Sequence, residues 1–102
     1  MSIEISVQDF AKIEKHVFIL DVREPWELKK ASLKKAFNCP MQDLYSQIHE
    51  LPQGQIVYVL CHHGVRSLRA ALYLQREGIQ AISIKGGIDM YAREIDASVG
   101  FY

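Results

Sequence analysis

The residues that could do chemistry sit together in Cys61-His62-His63-Gly64-Val65-Arg66-Ser67. A cysteine is followed, after four residues, by an arginine and a serine. Ahead of it runs Ile56-Val57-Tyr58-Val59-Leu60, an unbroken apolar stretch of the kind that forms a strand buried on both faces. After it comes a helix whose apolar face reads as Leu68, Ala71, Leu72 and Leu74, with Gly78 where a helix cap belongs. The cysteine is thus expected at the carboxyl end of a central strand, in a short loop that enters a helix. There the loop amides and the helix N-terminus favour negative charge. A thiolate is favoured over a thiol, and the thiolate is the nucleophile.

The rest of the loop supports that role. Closing so short a segment over one sulfur makes a small nest of amides contributed by His62 to Ser67, and Gly64 supplies the permissive backbone. Arg66 is expected to brace the loop through its guanidinium, against a carboxylate, while its amide joins the cradle. Asp21 and Arg23 end an earlier apolar run, at the edge of the sheet where ligands gather. Arg23 could hold an anionic substrate, and Asp21 could pin the loop or a neighbouring turn. His62 and His63 read as exposed side chains shaping the mouth, whose partial positive charge would favour the thiolate. Consecutive histidines close poorly round one ion and no further ligand cluster is evident, so no metal is expected. Cys39, just before Pro40, reads as buried and inert. Lys29, Lys30, Lys34 and Lys35 read first as a solvated face, with an electropositive rim as the alternative.

Regular elements on either side would position this loop. Ile3, Ile5 and Val7 alternate as in a short edge strand. Ser6 and Asp9 form a capping pair for a helix carrying Val7, Phe10, Ala11 and Ile13. Val17 to Val22 is a second buried run, and Pro25 fits the first turn of a helix reaching about Lys30. Ala36 to Asn38 is a brief strand. Met41, Leu44, Tyr45, Ile48 and Leu51 fall at helical spacing between Pro40 and Pro52. Ala81 to Ile84 is the last strand, and Gly86-Gly87 opens a helix with Ile88, Tyr91, Ala92 and Ile95 on one side. Trp26, Tyr58 and Tyr91 read as core or pocket-wall aromatics. Strands alternate with helices throughout, which predicts a mostly parallel sheet with helices on both faces.

The loop CHHGVRS resembles the active-site loop of the rhodanese family of sulfurtransferases. Asp21-Val22-Arg23-Glu24-Pro25-Trp26-Glu27 is similar to the family's first motif, Phe37-Asn38-Cys39-Pro40 to its next strand and turn, and Lys85-Gly86-Gly87-Ile88-Asp89-Met90-Tyr91 to its closing helix. One segment departs: Lys29 to Lys35 stands where the family has a Gly-His-Ile-type turn, so that histidine is missing. The resemblance implies an α/β fold with a five-stranded sheet in the order 1-5-4-2-3, placing Cys61 at the centre. It implies sulfane-sulfur transfer through a Cys61 persulfide, from a small anionic donor such as thiosulfate to a thiol, cyanide or a protein, without a cofactor. The alternative is a sulfur-relay module serving one partner protein. A phosphatase is disfavoured, since related cysteine phosphatases have one more residue between cysteine and arginine.

Length and composition agree with one domain over residues 1–102: 49% of the residues are hydrophobic and only three are proline. Lys+Arg and Asp+Glu balance at 12 each, so net charge points to neither nucleic acid nor membrane. Two cysteines outside any CxxC provide no disulfide framework. With no 18-residue apolar segment and no signal peptide in view, the expected location is the cytoplasm, where a thiol stays reduced.

Overall fold

In the computed structural model, which describes residues 3–102, strands and helices alternate from end to end. Strand β1 is Glu4–Ile5, and helix α1 is Val7–Ile13. The strand stops short of Val7 because Ser6 caps the helix, its hydroxyl accepting the Asp9 amide at 3.1 Å. Then come β2 (Phe18–Asp21), α2 (Pro25–Leu28), β3 (Phe37–Asn38) and α3 (Met41–Gln47). The chain continues through β4 (Val57–Leu60), α4 (Val65–Arg76), β5 (Ala81–Ile84) and α5 (Gly87–Glu94). Helix α2 ends two residues before the expected Lys30.

The five strands pair in the order β1-β5-β4-β2-β3, as expected, and every pairing is parallel. The apolar runs explain the two central strands, since Val57 to Leu60 and Ile19 to Asp21 are buried on both faces. Val57 and Val59 pack with Leu44 of α3 and Ala70, Ala71 and Leu74 of α4. Tyr58 and Leu60 pack on the other face, with Val7 and Phe10 of α1 and Ile88 and Tyr91 of α5. Burying each such aliphatic side chain contributes roughly 1.5–3 kcal/mol. Two expectations about apolar residues are corrected. Leu72 is half exposed, and Ala70 takes its place on the buried face of α4. Trp26 is 59% exposed and belongs to the surface rather than the core. Among the described residues, no helix is long and apolar enough to cross a membrane.

Register sets the stage for the site. Asp21 lies beside Leu60, and Leu20 beside Val59, which in turn neighbours Ser83 of β5. The carboxyl ends of β2, β4 and β5 therefore meet at one edge, the edge where α/β sheets bind ligands. Helix α5 grips the segment leaving β4: the Ile88 and Asp89 amides donate to the carbonyls of Cys61 and His62 at 2.9 and 3.1 Å. That close approach requires Gly87, whose φ is +63°. A Cβ there would land 2.5 Å from the Cys61 carbonyl oxygen and closer still to that of His62. Gly87→Ala is therefore expected to cost about 3 kcal/mol through left-handed strain plus backbone collision. Urea unfolding checks this; a loss below about 1 kcal/mol would mean that the loop and α5 yield freely.

Candidate active site

Cys61 leaves β4 fully buried, at 1% exposure. Its Sγ accepts the Gly64 amide at 3.0 Å and the Ser67 amide at 3.3 Å, the latter from the first turn of α4. Those amides are free to do so because the first N–H groups of a helix have no intrahelical partner. The thiol lies 3.3 Å from the Ser67 hydroxyl, which in turn meets the Ser83 hydroxyl at 2.7 Å. The loop turns back on itself through Gly64, at φ +95°, where an added Cβ would sit 2.8 Å from the Gly86 nitrogen.

Arg66 braces the loop through a two-pronged pair with Glu27 of α2, at 2.7 and 2.8 Å. The carboxylate partner anticipated for it is thus identified. Glu27 is itself buried, and its Oε2 also accepts the Glu24 amide at 2.9 Å, closing the capping box of α2. The Tyr102 hydroxyl donates to its other oxygen at 2.8 Å. The Arg66 hydrogen bonds, opposed by burial, hold the Glu27 carboxyl at about 2, and the same contact raises the Arg66 pKa.

Asp21 and Arg23 form a second, fully buried pair at 2.7 Å. Asp21 also accepts the Arg23 backbone amide at 3.0 Å, and Arg23 reaches the Tyr102 oxygen at 3.0 Å. Burial works against the Arg23 charge, but its bonds to Asp21 and Tyr102 prevail and raise its pKa. The anion-holding role expected of Arg23 does not fit its position: at 0% exposure it presents no face to a ligand, and its guanidinium goes to Asp21 and Tyr102. Asp21 pins Arg23 rather than the Cys61 loop.

The ring of His62 is stacked between Tyr102 and His63, with centroids 3.7 and 3.8 Å away. Burial, and then the neighbouring His63, lower its pKa. Val65 and His63 are exposed on the loop. Beside the two imidazoles stands Asp89 of α5, a third potential ligand that the linear spacing conceals. Cys39 is buried in the core on the far side of the sheet from α5, where burial and then Asp43 and Glu50 push its thiol pKa up. Lys29, Lys30, Lys34 and Lys35 are exposed around buried Ala31 and Leu33.

Sequence reasoning missed Glu27, Ser83, Asp89 and Tyr102. Glu27 carried a signal, since it comes three residues after Glu24 at a helix start, the spacing of a capping box. Tyr102 carried none: the partners of its hydroxyl are 79 and 75 residues away in the chain.

A parallel sheet of this order, with a cysteine loop gripped at its carboxyl edge, defines a recognisable class of α/β domain. The chain belongs to the rhodanese-like family: residues 6–94 match the Rhodanese-like domain. It is 31% identical over 78 residues to a sulfurtransferase of Allochromatium vinosum, covering 76% of this chain and 73% of that one. It is 27% identical over 94 residues to the thiosulfate sulfurtransferase GlpE of Vibrio cholerae, covering 91% and 89%. The crystal structure of a rhodanese-related protein from Thermoplasma volcanium superposes with a TM-score of 0.86 at 32% identity, covering 90% of this chain and 92% of that one.

The acid behaviour of the Glu27 pair can be measured. Its folded pKa, about 2, lies below the ordinary 4.5. The resulting stability is therefore complete above 4.5 and is lost as pH falls towards 2. Glu27→Gln should cost about 2 kcal/mol at neutral pH, a linkage value of ~3 kcal/mol discounted for the solvent that reaches Arg66. The gap between wild type and variant should narrow across that acid window in urea titrations. A gap independent of pH would contradict the assignment.

Proposed function

We propose that this protein is a sulfurtransferase that moves sulfane sulfur from a small anionic donor, such as thiosulfate, to a thiophilic acceptor through a Cys61 persulfide. The observation that carries the reading is the buried Cys61 Sγ held by the Gly64 and Ser67 amides at 3.0 and 3.3 Å. Those donors stabilise anionic sulfur in a site where water does not compete. The Cys61 thiolate attacks the outer sulfur of thiosulfate. A new S–S bond forms, the donor's S–S bond breaks, and sulfite departs with the electron pair. The acceptor's nucleophile then attacks the outer sulfur of the persulfide and returns Cys61 as thiolate. The amides of Val65 and Arg66, between the two that hold Sγ, are the donors available to the outer sulfur. Two covalent half-reactions imply ping-pong kinetics.

Ser67 contributes a hydroxyl that can turn with the charge state. It accepts from the thiol, donates to the thiolate, and keeps Ser83 as its second partner. Arg66, Asp21 and Arg23 act as positioning residues, because their charged groups are taken up by protein partners. A working thiol favours a reducing compartment, which supports the cytoplasm as the place of action.

Cys61→Ser is expected to abolish sulfur transfer from thiosulfate to cyanide, while Cys39→Ser retains most of it. Intact mass after thiosulfate should show one added sulfur in the wild type and none in Cys61→Ser. Full activity in Cys61→Ser would overturn the mechanism.

The loop length separates this chemistry from phosphoryl transfer. Four residues lie between Cys61 and Arg66, enough to ring a single sulfur, whereas a phosphoryl group brings three equatorial oxygens and needs a wider circle of donors. One glycine inserted after Gly64 should remove sulfur transfer and improve binding of phosphate or arsenate. Assays of thiosulfate:cyanide transfer and p-nitrophenyl phosphate hydrolysis on the same wild-type sample provide the check. Brisk phosphate release without sulfur transfer would replace the proposal with a phosphatase.

A further inference from the structure

We propose that His62, His63 and Asp89 form a binding site for a divalent transition-metal ion of the zinc type, beside the Cys61 loop. One ligand atom from each residue lies within 4.8 Å of the others. Donors sharing a tetrahedral ion at ~2.0–2.1 Å stand about 3.4 Å apart, so an ion would draw the three together, and the exposed His63 has the room to move. Consecutive histidines alone would close poorly round an ion. Here the two rings are neighbours, with centroids 3.8 Å apart, and the third ligand comes from another element.

Two features beyond proximity point to a ligand. First, each of two donors has an outer partner that fixes it. His62 Nε2 lies 3.0 Å from the Tyr102 main-chain oxygen. An oxygen there can only accept, so Nε2 carries the proton and the Nδ1 lone pair is left for an ion. Asp89 Oδ2 accepts from Arg93 Nε at 2.9 Å, which leaves Oδ1. Hydrogen bonds of this kind stand behind most metal-bound histidines and carboxylates. Second, the donors are held before any ion arrives. The His62 ring is stacked on Tyr102, with centroids 3.7 Å apart, and the Asp89 amide donates to the His62 carbonyl at 3.1 Å. That bond ties α5 to the loop at the point where the two sets of donors converge.

Two imidazoles and a carboxylate suit zinc and its first-row neighbours far better than calcium or magnesium, which prefer all-oxygen sites. Three protein ligands also leave a coordination position open to an anion. An ion at this place would add positive charge next to the persulfide-forming loop and narrow the approach to it.

The test uses the Cys61→Ser protein, so that the thiolate cannot serve as ligand, titrated with zinc chloride against a chromogenic chelator. One ion per chain is expected. His63→Gln and Asp89→Asn, each in that background, should weaken zinc binding about 10-fold or more, whereas His49→Gln should leave it unchanged. Thermal unfolding without metal shows whether each variant remains folded, and zinc should raise the melting temperature only where the three ligands are intact. No stoichiometric binding by Cys61→Ser overturns the proposal. So does equal affinity in the folded His63→Gln and Asp89→Asn variants. Neither readout depends on sulfur transfer, so the metal site and the sulfurtransferase reading stand or fall separately.

Discussion

The fork between Arg66 and Glu27 is the contact on which the site's shape depends. Glu27 is a buried carboxylate, and a buried charge must find partners or become very costly. Its two oxygens accept from Arg66, from the Glu24 amide that starts α2, and from the Tyr102 hydroxyl. Three segments remote in sequence thus converge on one group: the loop after β4, the helix after β2, and the tail after α5. Tyr102 then passes the connection on to Arg23, and Arg23 to Asp21 at the end of β2. The alternation of acid and base along this path leaves each charge facing its complement. Displacing Asp21 would strand the Arg23 charge where no solvent reaches it.

The fork brings a consequence for chemistry. The Arg66 guanidinium is taken up by Glu27, so the main-chain donors brought to the Cys61 Sγ are the amides of Gly64 and Ser67. Amides fixed by two glycine-dependent close approaches, at Gly64 against Gly86 and at Gly87 against the Cys61 and His62 carbonyls, cannot relax much when charge develops. Donors already oriented spare the reaction the cost of reorganising them. The glycines and the fork serve the same end from opposite sides of the loop.

The sheet and its order were legible because strands buried on both faces leave continuous apolar runs. Val57 to Leu60 and Ala81 to Ile84 could be read almost to the residue. Cys61 and its loop were legible for a related reason, since a polar, glycine-containing segment between such a run and a helical pattern admits few placements. What escaped notice lies in contacts between distant segments. Glu27 looked like one acid among several in the motif after β2, and its partner is 39 residues on. Tyr102 lies in a tail with no periodic pattern. Leu72 misled because a helix can display an apolar residue to solvent without penalty to its neighbours, so the pattern alone drew the face too wide. Trp26 misled for the same reason: size suggests burial, but its edge rests on Tyr102 while most of the ring faces outward.

Cys39 shows that burial does not distinguish the two sulfurs. Both cysteines are 1% exposed, and both come directly after strands of the same sheet. Around Cys61 stand two N–H donors, the Gly64 and Ser67 amides at 3.0 and 3.3 Å, and the Ser67 hydroxyl at 3.3 Å. The Cys39 thiol donates to the Pro40 carbonyl oxygen at 3.9 Å, and the neighbouring charges are those of Asp43 and Glu50. Donors welcome an anion, whereas acceptors and carboxylates oppose one. The difference originates in the residues downstream of each cysteine. Pro40 is next after Cys39, and it brings no amide hydrogen. Beyond Cys61 lie Gly64 and the open first turn of α4, and their amides turn inward. The two thiols, equally hidden from water, face opposite surroundings because of the backbone that comes after each.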